Sequence, residues 1–243
     1  GATPERIGAI NQPHLYLYVM ALWGSVFGWS EGAIHSLLAV FSLAATWLMF
    51  RLAQVFTPRW ALVATALVIG SPAFVVGQNT MLDVPLLALW LGFFVLLARP
   101  GAGTARALAL GGICAAAILV KYTSLVLLPI LVVDAALAKD RARWYAVGIV
   151  LLAIGAWSAF NVWDYGAVHL WQRRAYATPE ILDPGKWLLA LGATMPCAAA
   201  LAYLRLQSSR SQWTRYAKWA MPALGAAILV LIVAVASRAW QPE

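Results

Sequence analysis

The feature that most constrains this chain is its run of long apolar stretches separated by short charged loops. LLALWLGFFVLLA (86–98), GGICAAAILV (111–120) and AVGIVLLAIGAW (146–157) have no polar face between their ends. A helix that is apolar all round must be buried in a large core or in lipid. Composition decides between the two. The chain has 243 residues, is 63% hydrophobic and has a mean hydropathy of +0.79, whereas soluble domains are roughly 45–50% apolar. A soluble fold of this length could not hide the excess, so the sequence predicts an all-α, polytopic helical membrane protein.

The spans follow from the runs. Residues 13–28 (PHLYLYVMALWGSVFG) fall short of the ~20 residues a spanning helix needs and read as a short interfacial helix rich in Tyr and Trp. About eight spans follow, near 32–56, 60–77, 84–99, 105–121, 122–138, 144–163, 186–205 and 217–237. Residues 1–243 then form a single transmembrane domain. Within it, 1–31 is an outer loop and interfacial helix, 32–163 holds the core spans, 164–185 is an outer loop, and 186–243 holds two further spans.

The net charge of +8 is explained by where the cations sit. Eleven of the 17 Lys and Arg sort to one set of loops, Arg99, Arg106, Lys139, Arg141 and Arg143 among them. That side is cytoplasmic by the positive-inside rule. Asp83, Lys121, Asp164, Arg173 and Arg174 fall on the other side. No basic run or basic–aromatic interleaving points to nucleic acid. Cys114 and Cys197 lie in apolar stretches as small core residues. This sorting places the chain in the cell inner membrane with its functional loops on the periplasmic side. It also puts the amino terminus outside, which predicts a further helix upstream. No pair of Gly/Pro-broken spans in matching halves supports a transporter.

Against this background the stretch GQNTMLDVP (77–85) stands out, with Gln78, Asn79 and Asp83 between two apolar runs. A carboxylate near a span costs several kcal/mol unless it is paired or wet. Two readings of Asp83 stay open: a helix-start device with Pro85 just inside the helix, or an outer-mouth acid that ligates a divalent metal or holds a phosphate through one. Lys121, in ILVKYTSLVLLP, is a lone cation between apolar runs, suited either to snorkelling or to an anionic phosphate. Glu31 and His35 are four apart and share a helix face, which predicts a structural ion pair. His14 lies at the outer surface, and His169 lies beside Arg173 and Arg174 in the outer loop, where the arginines suit a phosphate.

Four stretches in order carry a resemblance. NQPHLYLYVMALWGSVFGWSE (11–31), SPAFVVGQNTMLDVPLLALW (71–90), ILVKYTSLVLLP (118–129) and NVWDYGAVHL (161–170) together resemble the GT-C glycosyltransferases, in the protein-O-mannosyltransferase-like branch that includes the lipid A aminoarabinose transferases. The resemblance implies transfer of a sugar from a polyprenyl-phosphate donor to an acceptor at the outer face, with inversion. It also implies a carboxylate as general base and a divalent metal or basic residues offsetting the leaving phosphate. By matching, Asp83 would be the catalytic outer-loop acid and Lys121 the lipid-phosphate cation. Tyr16 and Tyr18 would line the pocket, and His14, Arg173 and Arg174 are the further candidates for binding substrate or the lipid phosphate.

The sequence departs from the family pattern in two ways. The family's Lys-Pro-Pro is Gln12-Pro13-His14 here, and its first acidic loop should precede residue 11, where Glu5 is the sole acid. The expectation is therefore a glycosyltransferase or a fragment of one. The alternative is a non-catalytic accessory subunit that packs against partner subunits and membrane lipid.

Overall fold

The computed structural model describes residues 12–71, 74–75, 82–98, 103–137 and 140–172. Among them every regular element is a helix. They fall in two compact units, one drawn from 12–55, 82–98, 103–137 and 140–172, the other from 56–71 and 74–75.

The first unit opens with α1 (Leu15–Phe27), the expected short helix, followed by α2 (Glu31–Phe56). Their hairpin is closed by tryptophans. Trp23 Nε1–H donates to the Ala33 carbonyl (2.9 Å), and the Trp29 ring lies 2.8 Å from where a Cβ on Gly24 would sit. Then come α4 (Asp83–Ala98), α5 (Thr104–Val120), a 3₁₀ turn (Tyr122–Val126), α6 (Leu127–Leu137), α7 (Arg143–Tyr165) and the short α8 (His169–Gln172). The second unit holds a 3₁₀ turn (Pro58–Trp60) and α3 (Ala61–Ile69).

Small residues set the packing of the first unit. Helix α5 lies between α4 and α7, and it presents Ala107, Gly111, Cys114, Ala115 and Ala117, all buried. A Cβ on Gly111 would meet the Ala146 carbonyl oxygen at 2.8 Å and the Ala146 Cα at 2.9 Å. Only glycine lets the α5 and α7 backbones approach this closely, a device common where helices associate in lipid. Phe93, Leu110, Ile118, Leu127, Leu131 and Val150 fill the remaining core, each 2% exposed or less. Cys114 is fully buried, as its apolar neighbours predict.

The outward faces are apolar too. Leu43, Trp47, Leu62, Leu152 and Trp163 are each more than half exposed. Helices α2 and α7 are long and apolar enough to cross a membrane.

The helix boundaries sharpen the expected spans. Helices of 16 and 17 residues lie within a residue or so of the expected 84–99 and 105–121 bounds. The 122–138 span begins instead as a 3₁₀ turn, and its α-helix has 11 residues. The break at Lys121 separates α5 from this turn, and Pro129 sits in the first turn of α6, where its missing N–H leaves no bond unmade. Of the 60–77 span, α3 covers 61–69. The 186–205 and 217–237 spans lie outside the described residues.

The charged loops of the first unit separate by helix end. At one end, Arg106 donates to the carbonyls of Leu96 and Leu97 (3.0 Å each), and Arg143 pairs with Asp134. Arg106, Asp134, Asp140 and Arg143 line a small cleft. At the other end lie Asp83, Lys121, Gln12, His14 and His169.

Candidate functional site

Asp83 is the first residue of α4 and Pro85 the third, so the helix-start reading of this stretch is met structurally. A carboxylate in the first turn also faces the positive end of the helix dipole. Its side chain remains 56% exposed and accepts a bond of 2.8 Å from Lys121 Nζ. Lys121 arrives from a different place in the fold. It ends α5 with an extended backbone (φ −154°, ψ 127°), its N–H bonded to Ala117 O at 2.9 Å. The two stand 38 positions apart in sequence and are brought together by the packing of α4 on α5. With one partner more than half exposed, the pair adds under about 1 kcal/mol of stability. Stability alone gives little reason to hold a carboxylate and an ammonium at the mouth of an apolar bundle.

Behind Lys121 is a buried polar cluster that no sequence pattern singles out. Tyr122 is 5% exposed. Its hydroxyl accepts from Trp157 Nε1–H at 2.8 Å and lies 3.0 Å from His169 Nδ1. Its backbone N–H donates to Gln12 Oε1 at 3.2 Å. Ser124, fully buried, accepts from Trp90 Nε1–H at 2.9 Å. Asn161, 1% exposed, lies one turn beyond Trp157 on α7, and its Nδ2 has no hydrogen-bond partner.

His169 reaches Tyr122 because α7 ends at Gly166. That residue takes the left-handed conformation (φ 75°) and bonds its N–H to Val162 O, so the chain turns back and α8 begins beside the bundle.

The structure brings some of the expected site residues together and separates others. Asp83 and Lys121 meet directly. His14 joins the cluster behind them, its ring edge-on to Trp157 (5.7 Å between centroids) and to Tyr18 (6.3 Å). Burial lowers the His14 pKa, and the nearby His169 lowers it further. Tyr16, expected to line a pocket, is instead 2% exposed and packs with Leu37, Val120 and Phe41. Tyr18 is 55% exposed.

Glu31 and His35 approach to 3.7 Å on the α2 surface, with side chains 91% and 47% exposed. Gln78, Asn79, Arg173 and Arg174 lie outside the described residues.

Asp83 Oδ1 accepts from the Lys121 ammonium, and no group of three His, Cys, Asp or Glu side chains that could hold a metal ion gathers among the described residues. The positive charge the described chain supplies at this mouth is that of Lys121.

The sequence stretches that build this mouth are also the ones that carry a family signature. Residues 11–164, more than half of the chain, match the dolichyl-phosphate-mannose-protein mannosyltransferase family. A comparison with curated proteins finds no match. A comparison with solved structures likewise finds none. The matched segment runs from the Gln12–His14 stretch, through Asp83 and Lys121, to the end of α7, and the chain belongs to the dolichyl-phosphate-mannose-protein mannosyltransferase family, a family of membrane glycosyltransferases.

Proposed function

We propose that this chain carries the lipid-phosphate end of a glycosyl transfer site, and that Asp83 and Lys121 are its charged centre. The observation that carries the reading is their 2.8 Å contact at the mouth of the bundle, between two segments that both fall inside the family match. The full fold has about eight spans, and this mouth opens on the periplasmic side of the inner membrane. The donor is a sugar on a polyprenyl phosphate, and membrane lipid surrounds the exposed apolar faces.

In the reaction, an acceptor hydroxyl attacks the anomeric carbon as the bond from that carbon to the phosphate oxygen breaks. The electron pair of the breaking bond leaves with the lipid phosphate. Lys121 offsets the charge that develops there. The hydroxyl proton passes to a carboxylate, the role assigned to Asp83. In the resting site Lys121 holds the Asp83 carboxylate in place. An arriving phosphate competes for the ammonium and frees an Asp83 oxygen toward the acceptor.

The test is transfer of sugar from a polyprenyl-phosphate donor by the intact protein carrying Asp83→Asn. The substitution keeps the shape and removes the base, so transfer should fall by about 10²-fold or more. An Asp83→Asn protein that transfers at the parent rate sinks the catalytic role.

A further inference from the structure

Lys121 can meet Asp83 only because the helix stops at residue 120. The φ of −154° at Lys121 is about 90° from the helical value, and that rotation about its N–Cα bond sets the direction of the side chain. Lysine itself does not enforce that stop, since it is a good helix former. The residue after it is far more constrained. Tyr122 is tied to three remote places: Gln12 through its backbone N–H, and Trp157 and His169 through its hydroxyl. Ser124 N–H closes the local turn on the Lys121 carbonyl at 3.0 Å, and the Ser124 side chain is held by Trp90.

We infer that Tyr122 is a positioning residue: its buried hydroxyl, bonded to Trp157 and His169, sets where the Lys121 ammonium stands and so sets the affinity of the mouth for a lipid phosphate. This rests on the reading of Lys121 as the phosphate cation. The hydrogen-bond chemistry supports a fixed arrangement. An indole N–H can only donate, so the hydroxyl accepts from Trp157, and the tautomer of His169 sets which way its 3.0 Å bond to Nδ1 runs. Both bonds run through a hydroxyl that is itself buried, so deleting it leaves the indole N–H without this acceptor in a dry place. Tyr122→Phe keeps the ring and removes only the hydroxyl.

The experiment measures binding of a polyprenyl monophosphate, and separately of the uncharged polyprenol, to the intact protein in nanodiscs. The variants are Tyr122→Phe, Lys121→Met and the double substitution. Tyr122→Phe should weaken polyprenyl monophosphate binding about five-fold and leave polyprenol binding unchanged. In the Lys121→Met background it should add nothing, because the hydroxyl acts through the lysine.

The inference is overturned if Tyr122→Phe weakens both lipids equally, or has its full effect without Lys121, or leaves phosphate binding intact while Lys121→Met weakens it. If Lys121→Met itself leaves phosphate binding intact, the proposed site fails, and this inference with it. Should Tyr122→Phe not fold, Trp157→Phe removes the donor on the other side of the same hydroxyl. It should show the same preference for loss of the phosphate, and equal loss of both lipids would again overturn the inference.

Discussion

Gly111→Ala and Gly112→Ala should move stability in opposite directions, although the two residues are neighbours on one helix. A Cβ at position 111 would stand 2.8 Å from the Ala146 carbonyl oxygen, 2.9 Å from the Ala146 Cα and 3.1 Å from Ile149 Cβ. Two of these are backbone atoms that no rotamer change can move. Restoring an ordinary contact needs the α5 and α7 backbones to part by about 0.5 Å, and overpacking of this kind costs about 1–3 kcal/mol. At position 112 nothing lies within 4 Å.

Both substitutions gain the same helix-propensity term, up to about 1 kcal/mol, so that term cancels in the comparison. The predicted difference between the two variants is therefore the steric term, about 1–3 kcal/mol with Gly112→Ala the more stable. Reversible unfolding in mixed detergent micelles, followed by helicity, measures it. Equal midpoints for the two variants would refute the close α5–α7 approach.

Three further outcomes follow from the same coordinates. Asp134→Ala strands the Arg143 guanidinium at the opposite end of the first unit, where both side chains are 20% exposed, and should cost about 2–4 kcal/mol in the same unfolding assay. Gly166→Ala forces a Cβ into the left-handed turn after α7 and should cost about 1 kcal/mol, and nuclear magnetic resonance of His169 would report its loosened contact with Tyr122. The depressed pKa of His14 means that the unfolded chain binds a proton more readily than the folded one. Stability should be complete above pH ~6.5 and fall on acidification through the window between the unfolded value and the lower folded one. Replacing His14 with Gln should flatten that slope.

How much of this was legible beforehand depends on what each element signals. The 84–99 and 105–121 spans are apolar runs ended by Asp, Lys or Arg, and charge marks a helix end in lipid, so their boundaries could be read to within a residue or so. The break at residue 121 was harder, because Lys-Tyr-Thr-Ser carries no Gly or Pro and the apolar run resumes at once. The break is held by tertiary hydrogen bonds, which periodicity does not record.

The site was legible in part for the same reason. Asp83 and Lys121 stand out as lone charges in apolar surroundings, whereas Tyr122, Trp157, Trp90 and Asn161 look like ordinary members of greasy helices. Their one sequence signal was that each is a polar-tipped side chain in a run meant for lipid, where every such tip needs a partner. Gln12 departs from the family's lysine, and the structure shows its amide bonded to the Tyr122 backbone. The resemblance alone points to Tyr16 as a pocket residue, and its burial against Leu37 and Val120 is a matter of packing that no periodicity records.

The most direct test of the central claim exchanges the two charges. Asp83→Lys combined with Lys121→Asp keeps an ion pair at the same place while reversing its polarity, so it separates a structural pair from a functional one. If Lys121 holds a lipid phosphate and Asp83 takes the acceptor proton, the exchanged protein should stay folded, losing no more than about 2 kcal/mol to the reversed charges at the two helix ends, yet transfer no sugar from a polyprenyl-phosphate donor. Transfer at the parent rate by the exchanged protein would contradict the account.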